Sequence, residues 1–199
     1  MCGRYSTGTE MENIRFREII NEANRSLSAE KAIKQRASGD VYPGDIAPVM
    51  VTVSSRELYK WMRWGFDNNG KLVINARSET ATEKPLFNRS IAAMRCLVPV
   101  MGYYEWNARK EKFLFADPNG EILLLAGLYR YAAGEIGEFT ILTREAYGAY
   151  GEIHSRMPLI IREKDLWLHD NGRARQLLAS GSDIKLDVIC QSPQQLSMF

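Results

Sequence analysis

The second residue of the chain is a cysteine, in Met1-Cys2-Gly3-Arg4-Tyr5, and a cysteine there can carry two nucleophiles at once. A side chain this small at position two permits removal of Met1, which leaves a free α-amine beside the thiol. The amine, with an ordinary pKa of roughly 7.7–8.0, is available near neutral pH. The thiol becomes a strong nucleophile where a cationic or polar setting lowers its pKa. Toward an aldehyde the pair forms a Schiff base and then closes a five-membered thiazolidine; toward an acyl group it is an N-terminal nucleophile. A small residue at an accidental second position has the same spelling, so the rest of the chain has to decide.

Three further segments set polar groups inside apolar surroundings. In Ile74-Asn75-Ala76-Arg77-Ser78-Glu79-Thr80, an Asn and an Arg two apart on a strand point to one face and can reach one ligand. The same pair also suits a turn and a solvated charge. In Val100-Met101-Gly102-Tyr103-Tyr104-Glu105-Trp106, a lone Glu lies among aromatics. An apolar setting raises a carboxyl's pKa and turns it into a general acid–base near neutrality, whereas an edge-strand Glu facing water stays ordinary. In Ile153-His154-Ser155-Arg156-Met157-Pro158, a proton-shuttling His precedes an Arg suited to phosphate. A His at a strand start also serves purely structural ends.

The elements that must position these groups are legible in outline. Apolar residues at helical spacing (Phe16, Ile19, Ile20, Ala23, Leu27) predict one or two amphipathic helices over 10–36. Short β-like runs follow at 46–53, 58–66, 72–76, 96–100, 103–106, 112–115, 122–131 and 139–143, with another near 184–189. Asn69-Gly70 and Asp117-Pro118-Asn119-Gly120 are turn signals. Helical texture covers 79–94 and 162–180, and 191–199 reads as a loose tail. Hairpins mixed with helices, without a βαβ rhythm, predict α+β: one domain over 1–199 with a mixed or antiparallel, barrel-like sheet core and flanking helices.

Composition excludes several function classes. With 199 residues, 45% hydrophobic and 25% charged, the chain reads as an ordinary globule with a full core. Its 26 basic against 24 acidic residues create no global field for nucleic acid, so a DNA site must be a local patch. Three scattered cysteines build no disulfide framework and fit a reducing cytoplasm; two histidines without a Cys-x-x-Cys pair leave no zinc-ligand spacing. No signal pattern and no apolar run near the ~20 residues of a membrane span is present, so no membrane partner is expected.

Taken in order, the motifs closely resemble the SOS-response-associated peptidase (SRAP) family, whose members crosslink covalently to abasic sites in single-stranded DNA. The resemblance rests on Met-Cys-Gly-Arg-Tyr, Tyr42-Pro43-Gly44-Asp45-Ile46-Ala47-Pro48-Val49 and Trp64-Gly65-Phe66. It continues through the Asn75–Thr80 segment with Glu83-Lys84-Pro85, Arg95-Cys96-Leu97-Val98-Pro99, Gly102–Trp106 and Ile153–Pro158. Two departures stand out: the stretch after Trp64-Gly65 is short and lacks a second tryptophan, and Tyr147 stands where an Asn is common.

The resemblance implies a role for each residue. Cys2 is the crosslinking nucleophile and Asn75 orients it. Glu105 and His154 transfer protons, and Arg4, Arg77 and Arg156 grip the DNA backbone. Trp64 and Tyr104 are candidate apolar or stacking surfaces, although tryptophans here also suit the core. The implied partner is single-stranded DNA containing abasic sites, bound by a cytoplasmic monomer that joins the nucleoid when DNA is damaged. N-terminal autoprocessing and lyase-like Schiff-base chemistry belong to the same expectation, and no step needs a metal or organic cofactor. Three rivals remain: an N-terminal-nucleophile amidohydrolase or peptidase, a DNA reader without chemistry, and a Cys2 used only to remove Met1.

Overall fold

The apolar runs of the sequence become strands wherever their alternation can bury one face, and the computed structural model describes them over residues 2–8, 14–25, 39–131, 136–181 and 183–191. The helical reading beyond 25 and the tail beyond 191 lie outside the described residues. In chain order the elements are β1 (Tyr5–Ser6), α1 (Ile14–Arg25), β2 (Asp40–Val41), β3 (Ile46–Val53), β4 (Arg56–Trp64), β5 (Phe66–Asn68), β6 (Lys71–Val73) and β7 (Asn75–Arg77). They continue with α2 (Pro85–Ala93), β8 (Arg95–Val100), β9 (Gly102–Trp106), β10 (Lys112–Ala116), β11 (Leu123–Arg130) and β12 (Gly137–Glu145). The last are α3 (Tyr150–Ile153), β13 (Arg156–Pro158), α4 (Lys164–Leu168), α5 (Asn171–Ser180) and β14 (Asp187–Cys190).

Two sheets carry the fold. One runs β14-β10-β9-β1-β2, antiparallel throughout. The other runs β11-β8-β3-β4-β12-β13, with β7 beside β12 and a β11–β12 pairing that brings β11, β8, β3, β4 and β12 around a closed path. Strand β12 lies parallel to β4 and β7, so this sheet is mixed. The α+β class predicted from the sequence is the class observed.

Alternation decides what each face buries. On β8, buried along its whole length, Cys96, Val98 and Val100 join the core between the two sheets, while Leu97 faces the helices α2, α4 and α5. The intersheet core also takes Cys2, Tyr5, Tyr103 and Phe115 from the first sheet. Helix α1 lays Phe16, Ile19, Ile20 and Ala23 against Trp61 of β4, the one-face spacing of an amphipathic helix. No helix of the described residues is long and apolar enough to cross a membrane.

Several predicted boundaries move, each for a local reason. The run over 58–66 breaks at Gly65, whose φ of +120° is a conformation that glycine adopts readily and other residues rarely do. A Cβ there would come within 3.2 Å of Leu72 Cβ. Phe66 to Val73 then forms its own hairpin, turned at Asn69 and Gly70, both with positive φ, and this compact hairpin is the short stretch after Trp64-Gly65. Residues 72–76 divide between β6 and β7. The helix expected from 79 begins at Pro85, whose fixed φ suits a first helical position. The helix expected over 162–180 divides because Asp170 caps α5, accepting from the Gly172 and Arg173 amides at 2.8 and 2.9 Å.

Candidate active site at the amino terminus

Strand β1 pairs with β9, setting Tyr5 opposite Tyr103, and Cys2, three residues before Tyr5, lies in the intersheet core. Cys2 is 0% exposed, and its backbone carbonyl accepts a 2.8 Å hydrogen bond from Asn75 Nδ2. Asn75 opens β7, held by β12 through the Ile141–Asn75 and Thr143–Arg77 register. The Asn75 side chain thus ties the amino terminus to the second sheet across 73 residues of chain. Its Oδ1 is buried without a hydrogen-bond partner, an acceptor left open beside Cys2. The Cys2 thiol lies 3.8 Å from the Arg4 carbonyl. Burial, reinforced by the Glu105 charge, pushes its pKa well up, against the opposing charge of the chain's amino terminus. The thiol is therefore protonated at neutral pH and needs a base before it can attack.

Glu105 lies on β9, two residues beyond Tyr103, and is 3% exposed. Burial raises its carboxyl above the ordinary range, and the positive charges of the amino terminus and His154 offset this in part. His154 terminates α3 in an extended conformation. Its Nδ1 lies 3.0 Å from both the amide and the carbonyl of Arg156, accepting from the first in one tautomer and donating to the second in the other. That Nε2 stands 3.9 Å from Glu105 Oε2, beyond a direct hydrogen bond yet within ion-pair reach. Four chain segments thus bring Cys2, Asn75, Glu105 and His154 into one cluster.

The arginines divide. Arg77 is exposed at the end of β7. Arg156 donates from Nη1 and Nη2 to the two Glu79 oxygens at 2.6 and 2.9 Å, and from Nη2 to the Thr143 carbonyl at 2.6 Å. This guanidinium holds the Glu79 carboxyl below its ordinary pKa. Arg4 lies elsewhere: its guanidinium sits 4.5 Å from the Tyr42 ring and 5.2 Å from that of Trp106, with Asp40 at 3.8 Å. Trp106 alternates with Glu105 on β9, so Arg4 occupies the face of the first sheet opposite the cluster.

Neither aromatic expected as a stacking surface has an open ring. Trp64 is 0% exposed, packs 5.1 Å from Tyr5 and 6.3 Å from Phe139, and donates Nε1–H to the Ile74 carbonyl at 3.0 Å. It is a core residue that braces β7 from below. Tyr104 is 6% exposed and covered by the Lys112 ammonium, 3.8 Å from its ring centre. Tyr147, at the position of the second departure, exchanges hydrogen bonds with the Ile184 amide and carbonyl at 2.6 and 2.8 Å, which ties the C-terminal segment down beside α3. Glu79 escaped sequence reasoning as the partner of Arg156. The available signal was a carboxylate inside the Asn75–Thr80 motif, but nothing in a one-dimensional pattern joins it to a residue 77 positions away.

An α+β protein whose second residue is buried, anchored by an asparagine and flanked by a Glu–His pair is organised around its own amino terminus. The chain belongs to the SOS response associated peptidase (SRAP) family, whose sequence profile matches residues 1–189. It is similar to the abasic site processing protein YoaM of Bacillus subtilis (strain 168), 28% identical over 198 residues, covering 90% of this chain and 84% of that one. YoqW, an abasic site processing protein of the same organism, is 26% identical over 180 residues, covering 83% of this chain and 78% of that one. The fold matches a crystal structure of a protein from Bordetella bronchiseptica with a TM-score of 0.73 at 25% identity, over 96% of this chain and 100% of that one. A protein from Bacteroides thetaiotaomicron matches with a TM-score of 0.72 at 23% identity, over 95% and 91%.

The anchor can be tested directly. Asn75→Ala removes a buried hydrogen bond and leaves the Cys2 carbonyl unsatisfied, at a cost of about 1–2 kcal/mol, roughly five- to thirty-fold in the rate of any reaction at Cys2. The expected result is a slower reaction at saturating substrate with binding little changed. An unchanged rate removes the anchor from the chemistry.

Proposed function

We propose that the protein binds single-stranded DNA and captures abasic sites covalently, through a thiazolidine formed by the α-amine and thiol of Cys2 once Met1 is removed. The observation that carries this reading is the Asn75 hydrogen bond to the Cys2 carbonyl, which fixes the amino-terminal residue beside Glu105 and His154. The names of its relatives, abasic site processing proteins, support the same substrate class.

Each residue has a step that its surroundings suit. Loss of Met1, by the chain's own peptidase chemistry or by an aminopeptidase, creates the amine. The amine attacks C1′ of the ring-opened sugar, and Asn75 Oδ1, which has no hydrogen-bond partner, can accept one of its N–H groups. The resulting carbinolamine loses its hydroxyl as water after protonation by Glu105, whose buried carboxyl keeps its proton nearer to neutral pH. His154, with Nε2 toward Glu105, assists sugar opening or protonates a departing oxygen. The Cys2 thiol then closes the ring. Holding amine, thiol and aldehyde together supplies effective molarity that free cysteine lacks.

Arg77 and Arg156 are the proposed phosphate contacts near the cluster, and Arg4 serves a strand passing over the opposite face. Arg77→Ala and Arg156→Ala are expected to weaken binding to damaged and undamaged single strands alike, since phosphate contacts carry no base information. Each lost contact flattens the dependence of log affinity on log salt by about 0.7. The Arg77 variant should show the larger loss, because Glu79 already neutralises Arg156. Affinity and salt slope unchanged from wild type in both variants would move the groove elsewhere.

Incubating purified, untagged protein with a single-stranded oligonucleotide holding one abasic site tests the function. A shift that survives denaturing electrophoresis is expected. Absence of that shift, together with hydrolysis of glutamine, would replace this reading by the amidohydrolase one.

A further inference from the structure

Tyr103 stands on β9 two residues before Glu105, so both side chains point to the inner face of the first sheet. Its register partners are Tyr5 on β1 and Phe115 on β10, and its ring stacks on Phe115 with centroids 4.9 Å apart and planes 8° from parallel. The residue is 0% exposed, yet its hydroxyl has no hydrogen-bond partner. The two phenols nearby are satisfied. Tyr147 exchanges hydrogen bonds with the Ile184 backbone, and Tyr150 accepts the Leu186 amide at 2.8 Å. A buried hydroxyl left unpaired costs free energy that a phenylalanine in its place would not, so stability gives no reason for it. Burial raises the pKa of this phenol, and Cys2 and then Glu105 are the neighbouring ionisable groups that add most to the rise. For Tyr5, the other buried and unpartnered phenol near Cys2, the rise comes from burial and then from Cys2, Asp45 and Cys96.

We propose that the Tyr103 hydroxyl is a further catalytic residue of this site, relaying the proton of the Cys2 thiol to the Glu105 carboxylate as the sulfur adds to the iminium. The inference rests on the abasic-site reading above. In that sequence Glu105 has already given its proton to the carbinolamine hydroxyl, which left as water, so a carboxylate faces the iminium. The Cys2 S–H bond breaks and its electron pair becomes the bond from sulfur to C1′. The π pair of the carbon–nitrogen double bond returns to nitrogen, which becomes a neutral amine. The thiol proton passes to the phenol oxygen while the phenol's own proton passes to Glu105. Tyr103 ends unchanged and Glu105 ends protonated, ready for another cycle. The relay supplies what a buried, protonated thiol lacks, a path for its proton in a site closed to bulk water.

Tyr103→Phe keeps the ring and its stacking on Phe115 and removes only a hydroxyl that the fold does not use, so the variant is expected to melt no lower than wild type. With single-stranded DNA holding one abasic site, it should form the imine, trapped by borohydride, as fast as wild type. The denaturant-stable adduct should then accumulate slower by about 10²-fold, the low end of general acid–base effects, and the imine should persist. Tyr5→Phe should match wild type in both assays. Ring closure at the wild-type rate in Tyr103→Phe, or equal slowing in Tyr5→Phe, overturns the relay. A wild-type protein that forms no adduct overturns the abasic-site reading instead, and the two failures are distinguished by that first lane.

Discussion

Protein that retains any residue ahead of Cys2 is expected to form no thiazolidine on abasic DNA. An acylated nitrogen is an amide, whose lone pair is delocalised into the carbonyl, and it cannot condense with an aldehyde. A variant with an uncleavable extension before Cys2 should therefore lose the denaturant-stable adduct entirely while binding single strands through Arg77 and Arg156. Cys2→Ala separates the two nucleophiles. Its amine remains, so an imine trapped by borohydride should survive while the stable adduct is lost. Full crosslinking by the extended protein would mean that another group, not the α-amine, attacks the sugar. Denaturing electrophoresis beside the intact mass of each preparation decides the matter.

Glu105→Gln is expected to slow crosslinking by about 10²–10⁴-fold, the usual contribution of a positioned general acid–base group, with affinity for single strands little changed. Glutamine keeps the shape and much of the hydrogen bonding and removes the exchangeable acid. The pH dependence supplies the sign. Burial holds the Glu105 pKa above the ordinary carboxylate range, so the acid form persists toward neutrality and is lost as pH rises. The rate in wild type should fall on the alkaline side as this proton is lost and on the acid side as the α-amine becomes protonated. In Glu105→Gln the alkaline fall should disappear and the acid-side fall remain. A wild-type rate with an unshifted profile would take Glu105 out of the mechanism and leave His154 as the principal acid.

Cys2 has a thiol pKa that rises where reactive cysteines ordinarily show a fall. Sequence reasoning expects activation by a cationic or polar surrounding. The structure turns Arg4 to the other face of the sheet, onto Tyr42 and Trp106, and leaves the sulfur in apolar surroundings beside a carboxyl. Under the proposed function this ordering is useful. A protonated thiol stays quiet while the amine attacks, and it enters only when Glu105 has become basic.

Local chemistry was legible along the chain. The α1 stripe, the Asn69-Gly70 turn, most of the strand runs and the α+β class follow from periodicity and turn residues, because those signals act over a few neighbouring positions. The motif order carried the family. Element boundaries at Gly65, Pro85 and Asp170 moved by a few residues, because a positive φ, a proline and a cap compete there with hydrophobic spacing.

What only the tertiary structure decided is which polar groups meet. Cys2 and Asn75 lie 73 positions apart, and Arg156 and Glu79 lie 77 apart; no periodicity encodes such pairings, which arise when β1 docks on β9 and β7 on β12. The fate of the aromatics was settled the same way. Trp64 and Tyr104 offer the same residue types to a core or to a DNA base, and only the structure showed both rings covered, Trp64 by the core between the sheets and Tyr104 by Lys112. By itself the sequence marked Cys2 as the candidate nucleophile and named the kinds of group that could serve it, because covalent chemistry is a property of residue type. It left open their burial, and with it every shift in proton affinity, because the desolvation that sets those shifts exists only once the sheets close over the site.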